Sequence, residues 1–174
     1  MKEKTWRADI SNNHKKREIN NTIPERILTK GLVLAKPKHK NLKKISEISA
    51  VFTDDKEIKW FNKTYRGKNK ATDVLSFSQL EGELDKATLS DSLGDIMISL
   101  DTAIKQAKEN DLTTEQEVLR LLIHGMLHLL GYEHVNVDEN TVKEMQQWED
   151  FLFSKLKNSW RKNWITIKRI RKNS

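Results

Sequence analysis

Apolar residues recur every three or four positions along some stretches of the chain and every second position along others, and the two periods separate the stretches that wind from those that extend. Ile27, Leu28, Leu32 and Ala35 form an apolar stripe behind Thr22-Ile-Pro24, which predicts a helix opened by proline near its first turn. Ile45 to Phe52 alternates, with Ile48, Ala50 and Phe52 on one side, and predicts a strand. Thr53-Asp-Asp caps a short helix through Ile58, Phe61 and Tyr65 that Gly67 ends. Thr72–Phe77 and Leu93–Ser99 predict further strands, with the polar stretch Ser78–Ser92 between them as a loop, and Trp6–Ile10 predicts one more within a polar lead-in. A helix carrying Ala103, Ile104 and Ala107 follows the strand at Leu93–Ser99.

The second half of the chain is helical in pattern. Thr114-Glu-Gln-Glu117 has the spacing of a capping box, and the helix it opens is apolar from Val118 to Leu130 on nearly every face except at Arg120 and two histidines. Such a helix is central and buried. Asp138 or Thr141 starts the last helix, where Val142, Met145, Trp148, Leu152 and Leu156 recur at core spacing. Strands between helices, with the longest helices last, predict an α+β fold: a single domain over residues 1–174 in which a small mixed β-sheet is packed with helices.

That central helix carries the chemistry. Three of the five histidines lie in His124-Gly-Met-Leu-His128-Leu-Leu-Gly131-Tyr-Glu133-His134. His124 and His128 are four apart, so they share one helical face, one turn above the other. Gly131 permits the left-handed geometry that ends a helix and turns the chain back, returning His134 as a third ligand. Three imidazoles without cysteine describe a catalytic zinc site with an open position, because structural sites close the tetrahedron with protein ligands. In zinc proteases a glutamate follows the first histidine as general base. Here Gly125 occupies that place, which disfavours peptide hydrolysis. Glu133 either orients an imidazole and handles a proton or is a solvated turn carboxylate.

Charge adds a second theme. Residues 1–45 hold 13 Lys/Arg and 4 Asp/Glu, residues 46–153 hold 11 and 21, and residues 154–174 hold 8 and none, within a net charge of +7. Two basic ends flanking an acidic middle suit a polyanion. Absence of cysteine rules out disulfides and thiolate metal sites. No apolar run reaches membrane-span length and no secretion signal opens the chain, so a cytoplasmic location is expected.

Zinc with an open position lowers the pKa of its water toward about 7 or polarises a phosphoryl oxygen. Phosphodiester hydrolysis also needs positive charge near the developing phosphorane. Arg66, at a helix end before Gly67, is the candidate, against the alternative that it caps helix carbonyls.

The block at 124–134 resembles the H-G-x-L-H-L-x-G-[YF]-D-H signature of the YbeY family of zinc-dependent endoribonucleases. Asn62-Lys-Thr-Tyr-Arg66-Gly67, Thr72-Asp-Val-Leu-Ser-Phe77 and Leu93-Gly-Asp-Ile96 are similar to further blocks of that family, as are Met145 and Glu149, and the likeness covers residues 45–153. It implies a YbeY-like fold around a metalloprotease-like zinc helix, one Zn²⁺ per chain on His124, His128 and His134, and His124 and Arg66 as catalytic residues. It further implies single-stranded RNA as substrate, with maturation of the 3′ end of small-subunit ribosomal RNA and ribosome quality control as the role. Glu133 departs from the family's aspartate by one methylene.

The basic tail 154–174 lies beyond that likeness. Its Trp160, Trp164 and three isoleucines among eight cations fit an RNA or ribosome contact, an interfacial helix, or an extension of the last helix whose tryptophans pack on the domain. Two other functions compete with the nuclease: a non-enzymatic, metal-stabilised ribosome-assembly factor, and a zinc hydrolase acting on another substrate class.

Overall fold

The computed structural model describes residues 5–38, 42, 45–80, 91–133, 137–159 and 163–168. Along them run β1 (Arg7–Asn12), β2 (Arg17–Ile19), α1 (Thr22–Leu34), β3 (Glu47–Thr53), α2 (Asp55–Arg66), β4 (Val74–Ser78), β5 (Ser92–Ser99), α3 (Leu100–Glu109), α4 (Thr114–Leu129), α5 (Glu139–Leu156) and β6 (Ile165–Ile167). The main sheet has the order β1-β3-β5-β4. Its first three strands are parallel and β4 joins antiparallel at the edge. The expected α+β fold with one small mixed sheet is the fold observed.

Alternation along the strands sends side chains to two cores. Ile48, Ala50, Phe52, Ile96 and Ile98 enter a large cluster with residues of α1, α4 and α5. Leu75 and Met97 point to the opposite face and meet Ile58 of α2. The sheet is therefore covered on both sides. Because α4 is apolar on nearly every face from Val118 on, ten of its residues are buried, and each large aliphatic side chain among them contributes about 1.5–3 kcal/mol. That helix is the rigid centre of the molecule.

Caps and turns follow the local sequence closely. Asp54 caps α2 by accepting from the Glu57 amide, and Gly67 ends it at φ 68°. Asp138 caps α5 through the amides of Asn140 and Thr141. The capping box of α4 is one residue earlier than expected. Thr113 Oγ1 accepts from the Gln116 amide at 3.2 Å and Gln116 Oε1 accepts from the Thr113 amide at 2.9 Å. With Gln116 on cap duty, Glu117 turns inward instead of closing the box.

Two further differences arise from packing. Val142 is exposed and Trp148 only half-buried, so the core stripe of α5 narrows to Met145, Leu152 and Leu156. The lead-in also holds a strand that no periodicity marks: β2 pairs antiparallel with β6 of the tail, Arg17 opposite Ile167 and Ile19 opposite Ile165. The tail is thus not a continuation of α5, which stops at Leu156, but Trp164 does pack on the domain, only 4% exposed. Trp160 and Ile170 lie outside the described residues, as does most of the loop expected over Ser78–Ser92.

Candidate active site

His124 and His128 stand on successive turns of α4, as their spacing requires. Their Nε2 atoms face each other at 3.1 Å, with ring planes at 80°. Two imidazole nitrogens bound tetrahedrally at 2.0–2.1 Å from one ion would lie about 3.3 Å apart. The other ring nitrogens turn toward carboxylates. His124 Nδ1 is 2.6 Å from Glu149 Oε1 of α5, and His128 Nδ1 is 3.7 Å from Glu133 Oε2, an ion-pair distance rather than a hydrogen bond. An imidazole whose far nitrogen is held by a carboxylate presents Nε2 in one fixed orientation, the arrangement metal-binding histidines use. The pair fits a divalent ion as two of its ligands.

Gly131 has φ 93°, the left-handed geometry expected where the chain turns. The third expected ligand, His134, lies outside the described residues, and no three His, Asp or Glu side chains among them are arranged to hold a metal ion.

Packing decides what surrounds the pair. At Gly125 a Cβ would stand 2.8 Å from Ile96 Cγ2 and 3.2 Å from Ser76 Oγ. The position where zinc proteases carry their glutamate therefore has no room for even a methyl group. This close approach brings α4 against β4, where Ser76 Oγ donates to the Gly125 carbonyl at 3.4 Å. Arg66, at the end of α2, donates from Nη2 to the Ser76 carbonyl at 3.3 Å. Far from capping its own helix, the exposed guanidinium is tied to the strand that touches the residue after His124. In the sequence Ser76 appears only as one position of the Thr72–Phe77 block, because its contacts with Arg66 and Gly125 join it to α2 and α4.

A cleft of about 690 Å³ opens beside His124 and Glu149, between α3, α4, α5 and the start of β4. On its wall Gln106 Nε2 donates to Asp73 Oδ2 at 3.0 Å. Glu117, 5% exposed, lies there too, its Oε2 accepting no hydrogen bond among the described residues and 3.8 Å from Arg120 Nε. Burial pushes the Glu117 carboxyl above its ordinary value, with nearby Asp73 adding to the rise and Arg120 opposing it.

A carboxyl whose native pKa exceeds its unfolded value holds its proton more tightly when folded. Its contribution to stability is complete below the unfolded value and is lost as pH rises through the folded one. Glu117→Gln removes that loss. The variant should melt higher relative to the parent at pH 7 than at pH 4.5, and a calorimetric comparison giving the reverse order would show that the Arg120 pair outweighs burial.

Comparison with known proteins supports what this geometry suggests. The family profile described as Endoribonuclease YbeY matches residues 9–157. Curated proteins named Endoribonuclease YbeY are similar: one from Sulfurihydrogenibium sp. is 51% identical over 110 residues, covering 63% of this chain and 70% of the relative. One from Clostridioides difficile is 46% identical over 111 residues, 63% of this chain and 71% of the relative. The solution structure of a Thermotoga maritima protein superposes with TM-score 0.55 at 25% identity, covering 88% of this chain and 91% of that one. With a profile match spanning both histidines of α4, Arg66 and Glu149, the chain belongs to the YbeY family of endoribonucleases.

Proposed function

We propose that the protein is a zinc-dependent endoribonuclease that cuts single-stranded RNA, and that it acts on the 3′ end of small-subunit ribosomal RNA and in ribosome quality control. The observation that carries the catalytic part is the paired Nε2 atoms of His124 and His128, 3.1 Å apart, with Glu149 at the back of the first. His134 completes the ligand set in this reading. The ribosomal part is supported by the family resemblance.

Zinc bound there would supply a water of pKa near about 7 and a Lewis acid for a phosphoryl oxygen. The chain's own residues do the rest. Glu149 holds the His124 ring by its Nδ1 and so fixes the direction of Nε2. Arg66 projects from the end of α2 with its guanidinium exposed, where it can bind phosphate oxygens in pairs. Its hydrogen bond to the Ser76 carbonyl keeps it near α4.

Two substitutions test the arginine. Arg66→Ala should lower kcat/KM on single-stranded RNA by about 10²–10³-fold, the cost of losing one preorganised charge stabiliser. Arg66→Lys keeps the charge but loses the planar fork and should recover only part of it. Full activity in Arg66→Ala, measured on a small-subunit rRNA fragment with a 3′ extension, would remove Arg66 from the mechanism. Zinc analysis of the purified protein should find close to one ion per chain on this reading.

A further inference from the structure

Large aromatic side chains are normally withdrawn from water, and α2 leaves two of them outside. Trp60 is 58% exposed and Tyr65 62% exposed. They are not loose. Trp60 meets Phe61 edge-on at 4.9 Å, Phe61 stacks on Tyr65 at 5.9 Å with planes 16° apart, and Tyr65 meets Phe77 of β4 at 5.4 Å. Phe61 and Phe77 pack in turn against the buried cluster of Ile58, Leu75 and Met97. Two half-buried phenylalanines therefore brace two exposed rings, from the exposed side of α2 to the edge strand of the sheet.

The charge around these rings has one sign. Lys56, Lys59, Lys63, Arg66, Lys68 and Lys70 are all exposed. Among the described residues none of them pairs with a carboxylate. The two acids of α2 are occupied inward: Asp55 Oδ1 accepts from Ser99 Oγ at 2.5 Å and from Thr102 Oγ1 at 2.6 Å, and Glu57 accepts from Thr53 and from Asn13. The outer surface of the helix is left cationic and aromatic. The cleft beside His124, on the other side of the sheet, has the opposite balance: it carries Asp73, Glu109, Glu117, Glu149 and Asp150 with Arg120 as its one Lys or Arg among the described residues.

Tyr65 and Arg66 are adjacent on α2 and touch adjacent residues of β4, Phe77 and Ser76. Whatever Arg66 binds thus lies within reach of the Tyr65 ring. From this juxtaposition we propose that the exposed face of α2 is the platform for the single strand, with bases stacking on Trp60 and Tyr65 while the lysines follow the phosphates. Stacking on ring faces needs unpaired bases and is tolerant of sequence, so the platform selects single strands without reading a code. A duplex keeps its bases inside and gains only the charge contacts. The inference rests on the reading of the protein as an RNA-cutting enzyme and names how the substrate is held.

The test is equilibrium binding of the zinc-loaded full chain to a short single-stranded 2′-O-methyl RNA, checked by gel to remain intact, by fluorescence anisotropy. Steady-state cleavage of the matching RNA accompanies it. Trp60→Ala should weaken binding and raise KM about tenfold, and Trp60→Ala with Tyr65→Ala about a hundredfold, with kcat nearly unchanged for the Trp60 variant. Trp60→Phe and Tyr65→Phe keep a ring and should keep most of the affinity. On a strand of the same length without bases, parent and Trp60→Ala should bind alike. Equal affinities of parent and double variant for the intact strand overturn the platform while leaving the nuclease in place, and so does an equal loss on the base-free strand, which would show that the rings support the surface without stacking on bases. Failure of the parent to bind or cut any single-stranded RNA overturns both readings together.

Discussion

Replacing His124 by alanine is expected to reduce RNA cleavage by at least about 10³-fold, because the chemistry proposed here runs through one ion and the substitution removes one of its ligands. The structure makes the test sharper than a loss of activity alone. His124 is only partly buried, while Ile123 is buried in the core and Gly125 fits closely against Ile96 of the sheet, so the helix should survive the change. Zinc measured by mass spectrometry should fall from near one per chain to a small fraction, with the secondary structure retained. Glu149→Gln is the graded companion. It leaves both imidazoles and loses the carboxylate 2.6 Å behind His124, which should cost about ten- to a hundredfold in metal affinity or activity. If His124→Ala kept its zinc and its activity, the paired imidazoles would be structural and the proposed mechanism would fall.

Gly94→Ala should be the most destabilising single-methyl change in the described fold, by at least about 3 kcal/mol, combining backbone strain with a steric clash. Gly94 has φ 144°, a conformation that L side chains rarely adopt. It lies where the β3–β5 ladder slips register, between the pairs Glu47–Ser92 and Ser49–Asp95. An added Cβ would stand 2.3 Å from the Phe77 carbonyl oxygen and 2.9 Å from Leu129 Cδ2. Neither neighbour moves without consequence. Phe77 belongs to the strand that holds Arg66 through Ser76, and Leu129 follows His128. Thermal unfolding should therefore drop sharply, and the refolded fraction should show weaker zinc retention than the parent. A melting temperature within a degree or two of the parent, on the scale of about 4 °C or less per kcal/mol for a chain of this size, would mean the bulge relaxes freely.

The parts of the fold that were readable in advance are those set by near neighbours in the chain. Ile48, Ala50 and Phe52 are buried because alternation in a strand sends them to one face, and Gly67 ends α2 because its αL geometry costs glycine little. Where two local solutions competed, the order was harder to see. Thr113 and Gln116 form the box of α4 in preference to Thr114 and Glu117, and Glu117 is buried instead. The pairing of β2 with β6 joins residues about as far apart as the chain permits. No periodicity within either three-residue strand announces a partner at the other end.

The sequence by itself determined the four-residue interval of His124 and His128, the arrest of their helix before Gly131, and the family to which those blocks point. Those are consequences of helical pitch and of glycine's backbone freedom, both local. Only the tertiary structure decided that Glu149 stands behind His124, that Arg66 reaches the strand touching Gly125, and that Trp60 and Tyr65 remain outside on a cationic helix with Phe61 and Phe77 beneath them. Each of these depends on which surfaces pack together and how closely, and close packing is a property of the assembled core that no segment carries alone.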